Sequence, residues 1–288
     1  MSIKVKDLVH VYGEKSPYET PALDKVSFEI ADGEFIGLIG HTGSGKSTLV
    51  QHLNGLLKPK SGQVFIGDAE ISAKGAKLTD IRRKIGLLFQ YPEYQLFEET
   101  VYKDIAFGPA NLGLSKDDTD DRVRESMSTV GLDFDTFAQR SPFELSGGQK
   151  RKAVIAGVIA MRPEVLILDE PTAGLDPKSQ RDMLDMLLNI KESRRVTVIL
   201  ISHNMDDVVR IADRIIVLEK GRVALDGPPA EVFAHEEFLT SIGLGLPLAA
   251  EFMRELRIRG VDIEGGALTA DEAEESLSRY LKAKENVR

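Results

Sequence analysis

Nine residues, "GHTGSGKST" from Gly40 to Thr48, place glycine, lysine and hydroxyl side chains at the spacing G-x-x-x-x-G-K-[ST]. That spacing suits a triphosphate. Gly40, Gly43 and Gly45 let the backbone curl so that several N–H groups point inward at phosphate oxygens. His41, Thr42 and Ser44 complete the loop, and Thr48 follows it into a helical stretch, "TLVQHLNGLL", whose positive end adds to the cradle. The spacing assigns Lys46 to the β- and γ-phosphates and the Ser47 hydroxyl to Mg²⁺. A dinucleotide fingerprint does not fit, because G-x-G-x-x-G is not met.

Two further groups belong to the same chemistry. The apolar run "VLIL" (165–168) ends in Asp169 and Glu170, which a strand would deliver to the ligand-binding edge of an α/β sheet. Asp169 suits Mg²⁺, and Glu170 suits orienting and polarising an attacking water. In "ELSGGQKRK" (144–152), Ser146, Gly147 and Gly148 stand at the start of a helical pattern and offer a second anion-binding terminus. One nucleotide rarely needs two cradles from one chain, and these lie about a hundred residues apart.

These groups need a frame. Short dense apolar runs recur at 35–39, 85–89, 165–168, 196–201 and 215–218 without polar alternation, as in strands covered on both faces. Helical patterns between several of them predict an α/β domain with a mainly parallel sheet. Residues 3–11 and 26–36 read as antiparallel β-structure. Residues 110–162 read as a helical insertion: Ser115 and Asp118 stand at capping-box spacing, with Val123, Met127 and Val130 on one helix face. A second pattern starts near Ser146 and ends before Pro163. From about 231 the tail holds 12 Asp/Glu against 7 Lys/Arg. Its apolar faces (Ala249, Phe252, Met253, Leu256, then Ala273, Leu277, Tyr280, Leu281) predict small amphipathic helices with too little material for a core of their own.

The chain has 288 residues, no Cys and a net charge of −9. That balance argues against a mainly electrostatic nucleic-acid binder. No run approaches a membrane span, and the absence of Cys fits a reducing cytoplasm. The stretch "FQYPEYQLFEETVYKDIAFGP" (89–109) carries Tyr91, Tyr94, Phe97, Tyr102 and Phe107 among carboxylates, with nothing that does chemistry. Rigid side chains with polar tips suit a protein interface, and about half of the five are expected in the core.

Leu145, Ser146, Gly147, Gly148 and Gln149 resemble the signature of ATP-binding cassette (ABC) proteins. The resemblance covers about residues 3–230 and implies a P-loop NTPase fold: a mainly parallel sheet core, an N-terminal antiparallel subdomain, a helical subdomain inserted at about 91–162, and a C-terminal extension at 231–288. It also implies that the signature of one subunit closes over the γ-phosphate held by another, which accounts for the two cradles. Gln90 matches the Q-loop glutamine that contacts Mg²⁺ and water, Asp176 in "AGLD" the dimer-seam aspartate, and His203 the switch histidine. Tyr12 matches the aromatic that stacks on adenine. No catalytic position departs from the pattern, so hydrolysis of Mg-ATP is expected.

The wording of 89–109, together with "GHTGSGKSTLVQHLNGLLKP" and the acidic helical tail, is similar to the ATPases of energy-coupling factor (ECF) importers of vitamins and metals. The loop "GEKSPYETPAL" resembles the second of their two paralogues. The family implies a second cassette (paralogue or self), a transmembrane coupling protein docked near 91–107, a substrate-binding membrane component, and a place at the cytoplasmic face of the membrane. The competing readings are a conventional ABC importer, a soluble ABC ATPase acting on DNA or ribosomes, and a non-hydrolysing subunit. Against the soluble ATPase stand the acidic charge, the single cassette and the lack of a long coiled coil.

Overall fold

The computed structural model describes residues 1–73, 75–76, 78–263 and 265–285. In chain order the elements are β1 (Ile3–Tyr12), β2 (Thr20–Ile30), β3 (Phe35–Ile39), α1 (Lys46–Leu53), β4 (Ser61–Ile66), β5 (Ala69–Glu70), α2 (Leu78–Arg82) and β6 (Ile85–Leu88). There follow α3 (Val101–Asn111), α4 (Lys116–Thr129), α5 (Phe134–Phe137), α6 (Gly147–Ala160), β7 (Val165–Asp169), α7 (Pro177–Arg194), β8 (Thr197–Ile201), α8 (Met205–Ile211), β9 (Arg214–Glu219) and β10 (Arg222–Gly227). The tail forms α9 (Pro229–Phe233), α10 (Glu236–Ser241), α11 (Leu248–Ile258) and α12 (Ala270–Glu285).

The central sheet runs β10-β9-β3-β8-β7-β6, with β9–β10 antiparallel and the remaining pairs parallel. The unbroken apolar runs arise because alternate residues face two different cores. On β7, Leu166 and Leu168 pack with α3, α4, α6 and α7, whereas Val165 and Ile167 face the antiparallel sheet β2-β1-β4-β5 and α1. All four are at most 1% exposed, and burying each contributes about 1.5–3 kcal/mol. A parallel sheet closed on both faces leaves the carboxyl ends of β3, β6, β7 and β8 at one edge, where a ligand can reach them.

The insertion folds as its caps dictate. The Ser115 hydroxyl accepts from the Asp118 N–H to start α4, whose Val123 and Met127 are fully buried. At α6 the Ser146 hydroxyl accepts from the Gln149 N–H and the Gln149 side-chain oxygen accepts from the Ser146 N–H, a complete capping box.

Four expectations change. First, β2 begins at Thr20 rather than near 26, because Thr20 and Pro21 pair with Tyr12 and Val11; the loop before it shrinks accordingly. Second, residues 101–111 form α3, whose Val101 and Ile105 lie one turn apart in the core. Third, those aliphatics displace the aromatics. Tyr102 packs partly against the core, while Tyr91, Tyr94, Phe97 and Phe107 are exposed, Phe97 and Phe107 meeting edge to face at 5.0 Å. Fourth, the tail does build a small core, with Ala249, Met253, Ile263, Ala267 and Ala273 packing together beside Leu256, Leu277 and Tyr280. Upstream, Val232, Phe233, Leu239 and Leu244 dock on Val208, Ile215 and Val217 of the main sheet side. Phe252 and Leu281 stay exposed along an apolar groove between α11 and α12.

Candidate nucleotide site

The loop after β3 passes directly into α1. Gly45 precedes the helix at φ +107, in the left-handed region, and no side chain caps the first turn. No acidic residue sits in that turn, so its N–H groups and positive end face outward without a counter-charge. A Cβ on Gly45 would come within 2.7 Å of the Ala22 carbonyl oxygen. Gly45→Ala should therefore lower stability by about 1–3 kcal/mol and distort the phosphate cradle; thermal unfolding and ATP titration of that variant check it.

Lys46 is buried, and its ammonium donates to the carbonyl oxygens of Gly40 and, at 3.2 Å, His41. Burial pulls its pKa down, with Asp169 and Glu170 opposing. Across the cavity, Asp169 ends β7. Glu170 follows at φ +51, its N–H donating to the Ile201 carbonyl of β8 at 2.9 Å. This left-handed backbone turns the Glu170 side chain off the strand line. Its Oε1 is buried without a hydrogen-bond partner among the described residues; His203 Nε2 lies 3.6 Å away, within ion-pair reach but too far to bond. Burial first, and the neighbouring Asp169 second, push the Glu170 carboxyl up to about 7. Burial also raises Asp169 and lowers His203.

A cavity of about 460 Å³ gathers Tyr12, Thr42, Gly43, Gly45, Lys46, Ser47, Thr48, Gln90, Asp169, Glu170 and His203. It holds most of the residues assigned from sequence to one nucleotide. Gly40, His41 and Ser44 do not line it. The Gly40 carbonyl serves Lys46; His41 Nε2 turns to Glu219 at 2.8 Å; and Ser44 is fully buried, its carbonyl accepting from the Gly221 N–H. His41 and Ser44 thus tie the loop to the β9–β10 turn, while Gly40 holds Lys46. Thr20, Pro21, Ala22 and Ile201 also line the cavity. Only the strand pairing of Tyr12 with Thr20 brings the β2 residues there, so no local pattern flagged them.

Two partly buried carboxyls beside one ammonium and one half-exposed imidazole leave room for another cation. Ser47 hydroxyl, Gln90 amide and Asp169 carboxylate offer hard oxygen donors, which fit Mg²⁺. Among the described residues no group of three or more His, Cys, Asp or Glu suits a metal ion, so an ion here would draw on mixed donors and substrate oxygens.

The second cradle stands elsewhere. Ser146, Gly148 and Gln149 line a separate cavity of about 240 Å³ with Leu132, Leu175 and Ser179, sharing no residue with the first. Leu145 is buried beneath it. Cβ atoms built on Gly147 and Gly148 would meet nothing within 4 Å among the described residues, and neither glycine has positive φ. Nothing among the described residues demands glycine at either position. Asp176 caps α7, accepting from the Lys178 and Ser179 N–H groups at 3.1 Å.

Residues 23–173 match the family model described as ABC transporter. The energy-coupling factor transporter ATP-binding protein EcfA2 of Caldanaerobacter subterraneus subsp. tengcongensis is 54% identical over the full length of both chains. Its counterpart in Clostridioides difficile is also 54% identical, over 99% of each. Among solved structures, cbiO1 from Clostridium perfringens, part of the ABC transporter complex cbiONQ, superposes with a TM-score of 0.76 at 37% identity, covering 88% of this chain and 98% of that one. A dimeric ATP-binding cassette, MJ0796, in a post-hydrolysis state bound to ADP and Pi, gives 0.70 at 29% identity, covering 79% and 98%. The phosphate loop, the paired carboxylates and full-length identity together place this chain in the ABC transporter family, as an ATP-binding ATPase subunit of the energy-coupling factor type.

Proposed function

We propose that the chain supplies half of each of two shared ATP sites in a pair of cassettes, and that it transmits their closure to a transmembrane coupling protein. The observation that carries this reading is the separation of the two anion-binding turns, with open glycines on the second. A triphosphate on Lys46 leaves its own signature unused. A second cassette would bring its signature over that triphosphate, and Ser146–Gln149 here would serve the second cassette's nucleotide.

In this scheme Lys46 and the N–H groups at the start of α1, which no side chain caps, hold the β- and γ-phosphates. Tyr12, on the cavity rim, stacks on the base. Mg²⁺, held through Ser47, Asp169 and Gln90, would neutralise charge on the phosphate oxygens. Glu170 takes a proton from the attacking water, and His203 contacts the γ-phosphate. Asp176 stands at the seam. Stronger binding of ATP than ADP by the closed pair then biases a two-state machine.

The exposed aromatics fit the docking role. Phe97 and Phe107 border a cavity of about 540 Å³ with Gln95, Leu96 and Met161, and Tyr94 stands fully out beside it. Among the described residues no helix is long and apolar enough to cross a membrane. As in a transporter complex, the chain would be held at the cytoplasmic face by a membrane-embedded partner. A separate membrane component would read the cargo, and no nucleic acid is involved. Phe97→Asp should cost at least about tenfold in retention of the membrane component, because it puts an unpaired charge in an apolar contact. ATP affinity should stay at the parent value; co-purification from gently solubilised membranes, alongside ATP titration, reads both.

The test of the whole reading is phosphate release by the chain assembled with its co-purifying partners. ATP-dependent release that stops when Mg²⁺ is chelated is expected. Assemblies that bind ATP and never release phosphate would favour a non-hydrolysing subunit.

A further inference from the structure

Behind the rim of the nucleotide cavity lie two buried histidines that the scheme above does not use. His10 is on β1, two residues before Tyr12; His52 is on α1, one turn after Thr48. His10 is 8% exposed and His52 1%. Nε2 of His10 has no hydrogen-bond partner among the described residues, and the ring nitrogens of His52 make no well-formed hydrogen bond, only a contact with the Leu57 backbone. Buried polar atoms without partners are costly, and leucine would fill comparable space without that cost. Their placement is therefore informative. The edge of one ring meets the face of the next in a continuous row: His10 and Tyr12 at 4.5 Å and 77°, His10 and His52 at 4.7 Å and 68°. The row is closed at its other end, where the Tyr12 hydroxyl lies 3.1 Å from Thr48 Oγ1.

Tyr12 is thus tied at two points to α1, the helix whose first residue is Lys46. Thr48 and His52 lie one turn apart and face β1 together. The Tyr12 ring itself remains 43% exposed over the cavity. Burial, and then the neighbouring His10, draw the His52 pKa down to about 4, which keeps the ring neutral and avoids an unpaired charge in the row.

We propose that His10 and His52 are positioning residues that hold the Tyr12 ring at a fixed offset from the phosphate loop, so that base stacking adds to ATP affinity without the cost of ordering the ring. The inference rests on the reading that Tyr12 stacks on the base. A platform fixed in advance loses less rotamer freedom on binding than a free side chain does. Aromatic edge-to-face pairs give each ring a preferred orientation that aliphatic packing lacks.

The test compares Mg-ATP with inorganic tripolyphosphate, which has the phosphates and no base, by calorimetric titration of the full chain. His10→Leu and His52→Leu keep volume and remove the ring row; His10→Phe and His52→Phe restore aromatic edges without ring nitrogens. The Leu variants should bind Mg-ATP about three- to tenfold more weakly and bind tripolyphosphate as the parent does. The Phe variants should return to within about twofold of the parent. Should one Leu variant fail to fold, the other gives the same comparison. Equal losses for ATP and tripolyphosphate would assign the histidines to shaping the phosphate helix and overturn the proposal. So would Leu variants that bind ATP like the parent. Tyr12→Ala, run beside them, separates the two levels: if it binds ATP unchanged, the stacking reading falls and the brace with it. If Tyr12→Ala weakens ATP while the Leu variants do not, only the brace is lost.

Discussion

Glu170→Gln should lower phosphate release by about 10²–10⁴-fold, the range lost with a positioned general base, while ATP stays bound. The amide keeps the shape of the carboxyl and cannot accept the water's proton. The local geometry suits that function. The residue is held in a left-handed turn by its own N–H to Ile201, so its side chain leaves the strand direction and stays in the cavity. Its buried Oε1 has no hydrogen-bond partner among the described residues, which leaves it free for a water. Burial raises its carboxyl to about 7, close to working pH, where a base is most effective. Phosphate release and nucleotide-trapping assays on the purified variant read both parts. Turnover at the parental rate would remove Glu170 from its role.

Gly148→Asp should be as severe, by a different route. The side chain would project into open space, so the fold loses little. Ser146 and Gln149 would still cap α6. The new carboxylate would instead oppose the triphosphate brought to this turn by a second cassette, replacing attraction at a helix start with repulsion. Loss of one such stabilising group in a closed site is worth about 10²–10³ in rate. The variant's own ATP affinity as an isolated chain should not change, because Gly148 lines a different cavity from Lys46. Retained hydrolysis in the assembled pair, with melting behaviour like the parent's, would detach the signature from catalysis.

What could be read in advance followed from how locally each feature is encoded. The strand–loop–helix from Phe35 to Leu53, the strand ending in Asp169 and the capped start of α6 are each set by residues a few positions apart, and each stands where the spacing placed it. Features decided by distant contacts were hidden. The wall at Thr20–Ala22 arises from pairing with Tyr12, and β10 from pairing with β9. About half of the aromatics at 91–107 were expected in the core; Leu96, Val101 and Ile105 occupy that volume instead, and Tyr91, Tyr94, Phe97 and Phe107 stay exposed. The row from Tyr12 to His52 joins a strand and a helix forty residues apart, and a lone histidine in either carries no signal of it.

His41 is a different case. It sits inside the phosphate loop, and its ring Nε2 lies 2.8 Å from Glu219 rather than along the cavity wall. Loop membership fixes where the backbone goes; only the third dimension says which side chains look inward.

The sharing of each ATP site between two chains is open to direct inspection: an experimental structure of the Glu170→Gln assembly with ATP. The triphosphate on Lys46 is expected to lie under the signature of the other cassette, while Ser146–Gln149 of this chain covers the other cassette's nucleotide. A structure in which the Ser146 turn folds onto the triphosphate held by its own Lys46 would contradict it.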